Sequence, residues 1–230
     1  MKNKILFSFS VSVVLLMGTN QVLADAIAGT VGARPDTYNV TIEKVELCRS
    51  TACSNPFVLG SVSGTFDIAS ATAGADIGKL VDISGIPLYQ TWTHVRTTLS
   101  AQFSMAMSTG ACRTNGTDIA ARNTAFAGYN NGAAAGNGAL QTMYLPNQAV
   151  IQTAAGLGAY NYSNNGITQT DDAASFTMIT ALSSPYTCTG VMPRVEVKLD
   201  TSAAFGYVGA CANNMTFPQP PTLTITATDP

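Results

Sequence analysis

The residues from Thr91 to Met107 alternate in character over their whole length. Odd positions carry Thr, Thr, Val, Thr, Leu, Ala, Phe, Met and Met. Even positions carry Trp92, His94, Arg96, Thr98, Ser100, Gln102, Ser104 and Ala106. Successive side chains on a strand point to opposite faces, whereas a helix returns to one face about every 3.6 residues. A period of two sustained this far predicts a half-buried antiparallel strand, bent partway, with Trp92 and His94 on its polar face.

Shorter stretches repeat the pattern. Arg194–Asp200 sets Val195, Val197 and Leu199 inward against Arg194, Glu196, Lys198 and Asp200 outward. Thr222–Thr228 sets Leu223, Ile225 and Ala227 against threonines. From Tyr38 to Leu47, apolar residues fall at 38, 40 and 42, then at 45 and 47, a slip of phase that predicts a β-bulge near Glu43-Lys44. Pro56–Gly60, Thr65–Ala69, Lys79–Ile83, Leu140–Leu145 and Ser175–Leu182 are further strand candidates. Helical signal is thin, with a turn or two allowed at Thr117–Thr124 and at Asn147–Ala155. Many short strands separated by Gly, Pro, Asn and Ser point to an all-β antiparallel sandwich. The single domain is expected to span 38–230, after an extension at 25–37, with a long Gly/Asn-rich insertion at about 110–174.

The N-terminus predicts export. Lys2 and Lys4 precede an apolar run from Ile5 to Met17, and Val22-Leu23-Ala24 offers small residues to a signal peptidase. That is a three-part secretory leader over residues 1–24, too short in its apolar part to span a bilayer comfortably. No later apolar run is long enough to insert, so the expected location is secreted, periplasmic or cell-surface, in a bacterium. Without the leader, 9 basic residues remain of 11, against 13 acidic ones, for a net charge near −4. That balance argues against a nucleic-acid partner. Charged residues make up only 10% of the chain, well under the usual quarter, and Thr, Ser, Asn, Ala and Gly take their place.

All five cysteines lie beyond the leader, where an oxidising compartment permits disulfides. Cys48 and Cys53 bracket a short loop and form the favoured pair. Of the other three, Cys112 with Cys188 is slightly preferred over Cys188 with Cys211, which makes Cys211 the expected unpaired residue. No cofactor and no metal site is expected: His94 is the sole histidine, and no second cysteine pair stands at zinc spacing.

Candidate chemistry is sparse. A Ser-His-Asp triad would have to use His94, and no nucleophile elbow or phosphate loop is present. Asp67, Asp76, Asp82 and the Asp171-Asp172 pair are the acids a glycosidase would draw on, and Asp67, Asp76 and Asp82 could instead supply a Ca²⁺ site, but they lack EF-hand spacing. Trp92, Tyr129, Tyr160 and Tyr162 are candidate ligand contacts, since aromatics among Asn and Gln can stack on sugar rings.

Val40-Thr41-Ile42 with Val45-Glu46-Leu47, then Phe66-Asp67-Ile68, Ile86-Pro87 and Thr91-Trp92-Thr93-His94-Val95-Arg96, resembles secreted bacterial prealbumin-like β-sandwich domains of unknown function. The resemblance covers about residues 38–107 and implies a sandwich of immunoglobulin or prealbumin type, with no active site. The expected function is that of an exported, non-enzymatic structural or adhesive subunit of a filament, pilus or matrix. Its partners would be further copies of itself or another extracellular protein. The alternative is a soluble module that binds carbohydrate or another surface ligand, with a glycan as partner.

Overall fold

The computed structural model describes residues 30–61, 63–70, 85–119, 131–153, 161–191, 193–211 and 214–228. The expected leader and the strand candidate Lys79–Ile83 lie outside them. The early strands are β1 (Thr30–Ala33), β2 (Thr37–Cys48), β3 (Phe57–Gly60), β4 (Gly64–Asp67), β5 (Thr91–Ser100) and β6 (Gln102–Ala106). The middle of the chain adds β7 (Arg113–Thr114), β8 (Gly132–Ala133), β9 (Gln141–Tyr144), the short helix α1 (Gln148–Thr153) and β10 (Ile167–Thr168). Then follow β11 (Ser175–Thr187), β12 (Arg194–Asp200), β13 (Phe205–Val208), β14 (Thr216–Pro218) and β15 (Thr222–Thr228). The protein is nearly all β, with its antiparallel-rich sheets in a sandwich-like arrangement.

The Thr91–Met107 alternation is realised as two collinear strands broken at Ala101. There the Ala101 N–H donates to the Ala174 carbonyl, and the Ala101 carbonyl accepts from Leu145 N–H. Before the break β5 pairs with β11; after it β6 pairs with β9. Both lie along one edge of β2, whose other edge holds β3 and β4. The register of β2 against β5 slips between Ile42 and Lys44, which is where the sequence predicts the bulge. Physically, the extra residue keeps Tyr38, Val40, Val45 and Leu47 all buried although their spacing changes parity.

Two cores result. The first joins Tyr38, Val40, Leu99, Phe103, Met105, Met143 and Phe176 of the main sheet to Phe205, Tyr207 and Phe217 of a second, three-stranded sheet. That sheet runs in the order β1-β13-β14. The second core gathers Val45, Leu47, Trp92, Val95, Leu182, Tyr186 and Ile225 around the other half of β2 and β5. Full burial of one such side chain contributes about 1.5–3 kcal/mol, so each core is a substantial source of stability.

The stretch expected as an insertion at 110–174 is partly woven into the fold. β9 extends the main sheet beside β6, and β10 pairs with β11. Gln141, 2% exposed, accepts from the N–H groups of Asn115 and Gly116. The helix expected at Asn147–Ala155 is present as α1, and Thr117–Ile119 is not helical. Residues 120–124 of that second candidate lie outside the described residues. Within the expected extension 25–37, residues 30–33 form β1, which pairs in its own chain with β13.

Candidate assembly surface

The described aspartates mostly staple loops. Asp67 Oδ1 accepts from the N–H groups of Tyr38 at 2.9 Å, Ala69 at 3.1 Å and Ser70 at 3.4 Å. Burial alone would raise its pKa, but these hydrogen bonds outweigh it and hold the carboxyl below its ordinary value. Asp36, Asp118, Asp171 and Asp200 likewise each accept a backbone N–H, from Ser108, Thr142, Gln148 and Ser202. Asp172 exchanges two hydrogen bonds with Asn147 at the start of α1. Asp67 and the Asp171-Asp172 pair are thus committed to local structure, while Asp76 and Asp82 lie outside the described residues. Among the described residues no group of three or more His, Cys, Asp or Glu is placed to hold a metal.

His94 sits half-buried on β5, with Nδ1 2.7 Å from Thr93 Oγ1, and burial holds its pKa below the usual value. Its cross-strand neighbours are Cys48 and Ala181, so it faces no carboxylate or serine in the register. Two positions further along the same strand pair, buried Glu46 is opposite Arg96, accepts from its Nε at 2.7 Å and lies 3.2 Å from Lys44 Nζ. Sequence reasoning passed over this cluster because Glu46 falls on the side of β2 opposite the apolar row.

Cys48 and Cys53 are bonded. The other disulfide joins Cys112 to Cys211, and Cys188 is the free, buried thiol, which corrects both the expected Cys112–Cys188 pair and the unpaired Cys211. The reason is the double core. Cys112 and Cys211 meet in the first, whereas Cys188 packs in the second beside Tyr186 and Trp92.

The aromatic candidates also shift. Trp92 is 2% exposed in the second core, tilted against Phe57 at 6.1 Å between ring centroids, and offers no stacking face to a ligand. Alternation fails there opposite a register shift in which β11 carries four residues, 182–185, between the partners of His94 and Trp92. Tyr162 is 4% exposed and donates its hydroxyl to the Pro146 carbonyl, so it too is a packing residue. Tyr129 and Tyr160 lie outside the described residues. The aromatic that is presented is Tyr89, 79% exposed, at a φ of 58° that bulky residues rarely adopt. Its N–H donates to the Cys188 carbonyl, and exposed Leu88 and Val191 lie in the same two joined segments.

The sheet surface is polar without being strongly charged. Hydroxyl pairs cross it at Thr41–Thr65 (2.8 Å), Thr91–Thr187 (2.7 Å) and Ser183–Thr226 (3.0 Å). Charge gathers on β12, where four residues in seven are ionic. This strand pairs along one edge with β15 through all seven positions, and every charged residue is opposite a threonine. It ends the main sheet, so among the described residues no strand occupies its other edge.

No family model, no curated protein and no solved structure matches the chain. The class defined by fold and surface is therefore an all-β, sandwich-like protein with two disulfides. None of its described helices is long and apolar enough to cross a membrane.

Proposed function

We propose that the chain is an exported, non-enzymatic structural or adhesive subunit of a bacterial cell-surface or extracellular assembly, such as a filament, pilus or matrix layer. The observation that carries this reading is the set of three cross-strand hydroxyl pairs on the sheet surface, in a chain of which only 10% is charged. Such a surface lets copies approach closely, because little charge repels them and the hydroxyls can trade partners. The hydrogen bonds that Asp36, Asp67, Asp118, Asp171 and Asp200 accept from backbone amides agree with a structural role. In this reading residues 1–24 direct export, and the two disulfides suit an oxidising compartment. The prealbumin-like resemblance enters it as the fold type.

The test is negative-stain microscopy of the purified protein together with light scattering. Filaments, layers or SDS-resistant ladders are expected. A species that stays strictly monomeric at high concentration overturns the reading.

Tyr89 favours a second reading, a carbohydrate- or surface-ligand-binding module. Its ring is open to solvent beside Leu88, an arrangement suited to stacking on a sugar face. Glycan-array binding that is lost in Tyr89→Ala would support it, and an array with no signal would remove it.

A further inference from the structure

We infer that β12 is the seam of a twofold homodimer, in which the β12 strand of a second copy adds antiparallel across Val197. This deepens the assembly reading and rests on it, since it names the partner as another copy of this chain.

The order of charges carries the argument. β12 reads Arg-Val-Glu-Val-Lys-Leu-Asp. Laid antiparallel on itself about Val197, it sets Arg194 opposite Asp200 of the other copy and Glu196 opposite Lys198. By symmetry each of these pairs occurs twice. Val195 then meets Leu199, and Val197 meets its own equivalent. Opposite charges directly across an antiparallel pair stabilise it, and like charges oppose it.

The same order rejects the neighbouring alignments. A shift of two residues one way places Glu196 on Glu196 and Arg194 on Lys198. The same shift the other way places Lys198 on Lys198 and Glu196 on Asp200. A shift of one residue sets the apolar row against the charged row. Parallel pairing in register puts every charge on its like. Of the alignments that pair all seven positions, only the antiparallel one about Val197 sets every charge against its opposite; a parallel copy shifted by two residues matches three charge pairs over five positions and is not twofold.

The surroundings of the strand agree with this placement. Within the chain the register sets Arg194, Glu196, Lys198 and Asp200 opposite Thr228, Thr226, Thr224 and Thr222, so the β15 ladder sets no like charge against the strand. Asp200 accepts from Ser202 N–H at 2.9 Å and also feels the charge of Arg34 in its own chain, so an arginine of the second copy would add to a carboxylate already held in its ionised form. On the other face Val195, Val197 and Leu199 are only half-buried, although Val195 and Val197 already pack on the second core. A second copy would continue that apolar row across the seam and cover it. A twofold contact of this kind is self-complementary and closes on itself, so it makes pairs, which other surfaces would then link into larger assemblies.

Charge exchange on the full chain tests the seam, read by sedimentation velocity. Glu196→Lys places lysine on lysine in both symmetry-related pairs, and Lys198→Glu places glutamate on glutamate. Each alone should raise the dimer dissociation constant about tenfold or more. An equimolar mixture of the two should recover the dimer as a heterodimer, and the double variant should recover it as a homodimer. Val197→Cys should give a disulfide-linked dimer on mild oxidation, because the twofold sets residue 197 against itself. Unchanged buried-Trp92 emission shows that each variant is folded.

Dimerisation unmoved by either single variant, or a mixture no better than its components, overturns the inference. If the wild-type chain still forms filaments or layers in that case, the assembly reading stands and the seam alone fails. A wild-type chain with no self-association removes both.

Discussion

Glu46 and Arg96 face each other across the β2–β5 pair, joined by a 2.7 Å hydrogen bond, with the glutamate side chain only 3% exposed. Burial pushes the Glu46 pKa up, but the hydrogen bonds and charges of Arg96 and Lys44 outweigh it, and the carboxyl titrates below its ordinary 4.5. A carboxylate whose pKa is lowered by folding stabilises the native state above its unfolded pKa. That contribution is lost as pH falls through the folded value.

Arg96→Gln should therefore lower stability at neutral pH by about 3 kcal/mol, since it leaves a buried carboxylate with Lys44 as its remaining ionic partner. The acid-side loss of stability between pH 4.5 and the lower folded value should also shrink, because burial then works against ionisation. Urea unfolding across the acid range measures both. An Arg96→Gln protein as stable as wild type at neutral pH would show that the pair contributes nothing.

The disulfides should differ in weight. Cys112 and Cys211 are 99 residues apart and Cys48 and Cys53 are 5 apart. By loop-closure entropy the long link contributes about 4.7 kcal/mol and the short one about 2 kcal/mol. Cys112→Ala/Cys211→Ala should thus lower the urea midpoint clearly more than Cys48→Ala/Cys53→Ala. Equal losses would argue against this ordering.

Cys188 should be silent until the protein unfolds. It is 5% exposed, in the same core as Trp92. A maleimide should label close to no thiol in the native protein and one per chain in denaturant without reductant. Because the chain has a single tryptophan, its emission should shift red over the same denaturant range in which labelling begins. Rapid native labelling would place Cys188 at the surface.

Local pattern carried much of the fold. The bulge in β2 is legible because a change of spacing between Ile42 and Val45 has one simple cause in a strand with a buried face. β12 and β15 are legible for the same reason. β13 and β14 escaped because they lack alternation. Phe205, Gly206 and Tyr207 are all buried, as are Thr216, Phe217 and Pro218, and Gly206 and Pro218 read as strand breakers. Gly206 is required there by packing, since a Cβ would lie 2.4 Å from Phe217 Cε2. Trp92 was placed on the wrong face because the register shift that lies opposite it is in β11, far away in sequence, and leaves no mark on the local pattern of β5. The cysteine pairing failed similarly, since it depends on which core each sulfur reaches. For the candidate seam, the charges of β12 are visible in sequence, but its place at the end of the sheet depends on strand order.

The pairing of β1 with β13 has a consequence for the order of folding. Val31 is opposite Tyr207, so β1 finds its place only after the chain has been made as far as β13. The second sheet, the first core and the Cys112–Cys211 link all wait for the same late residues. Contacts this distant in sequence close slowly. On a chain emerging from the ribosome, β1 stays unpaired until β13 has followed it, so this part of the fold is the last to close.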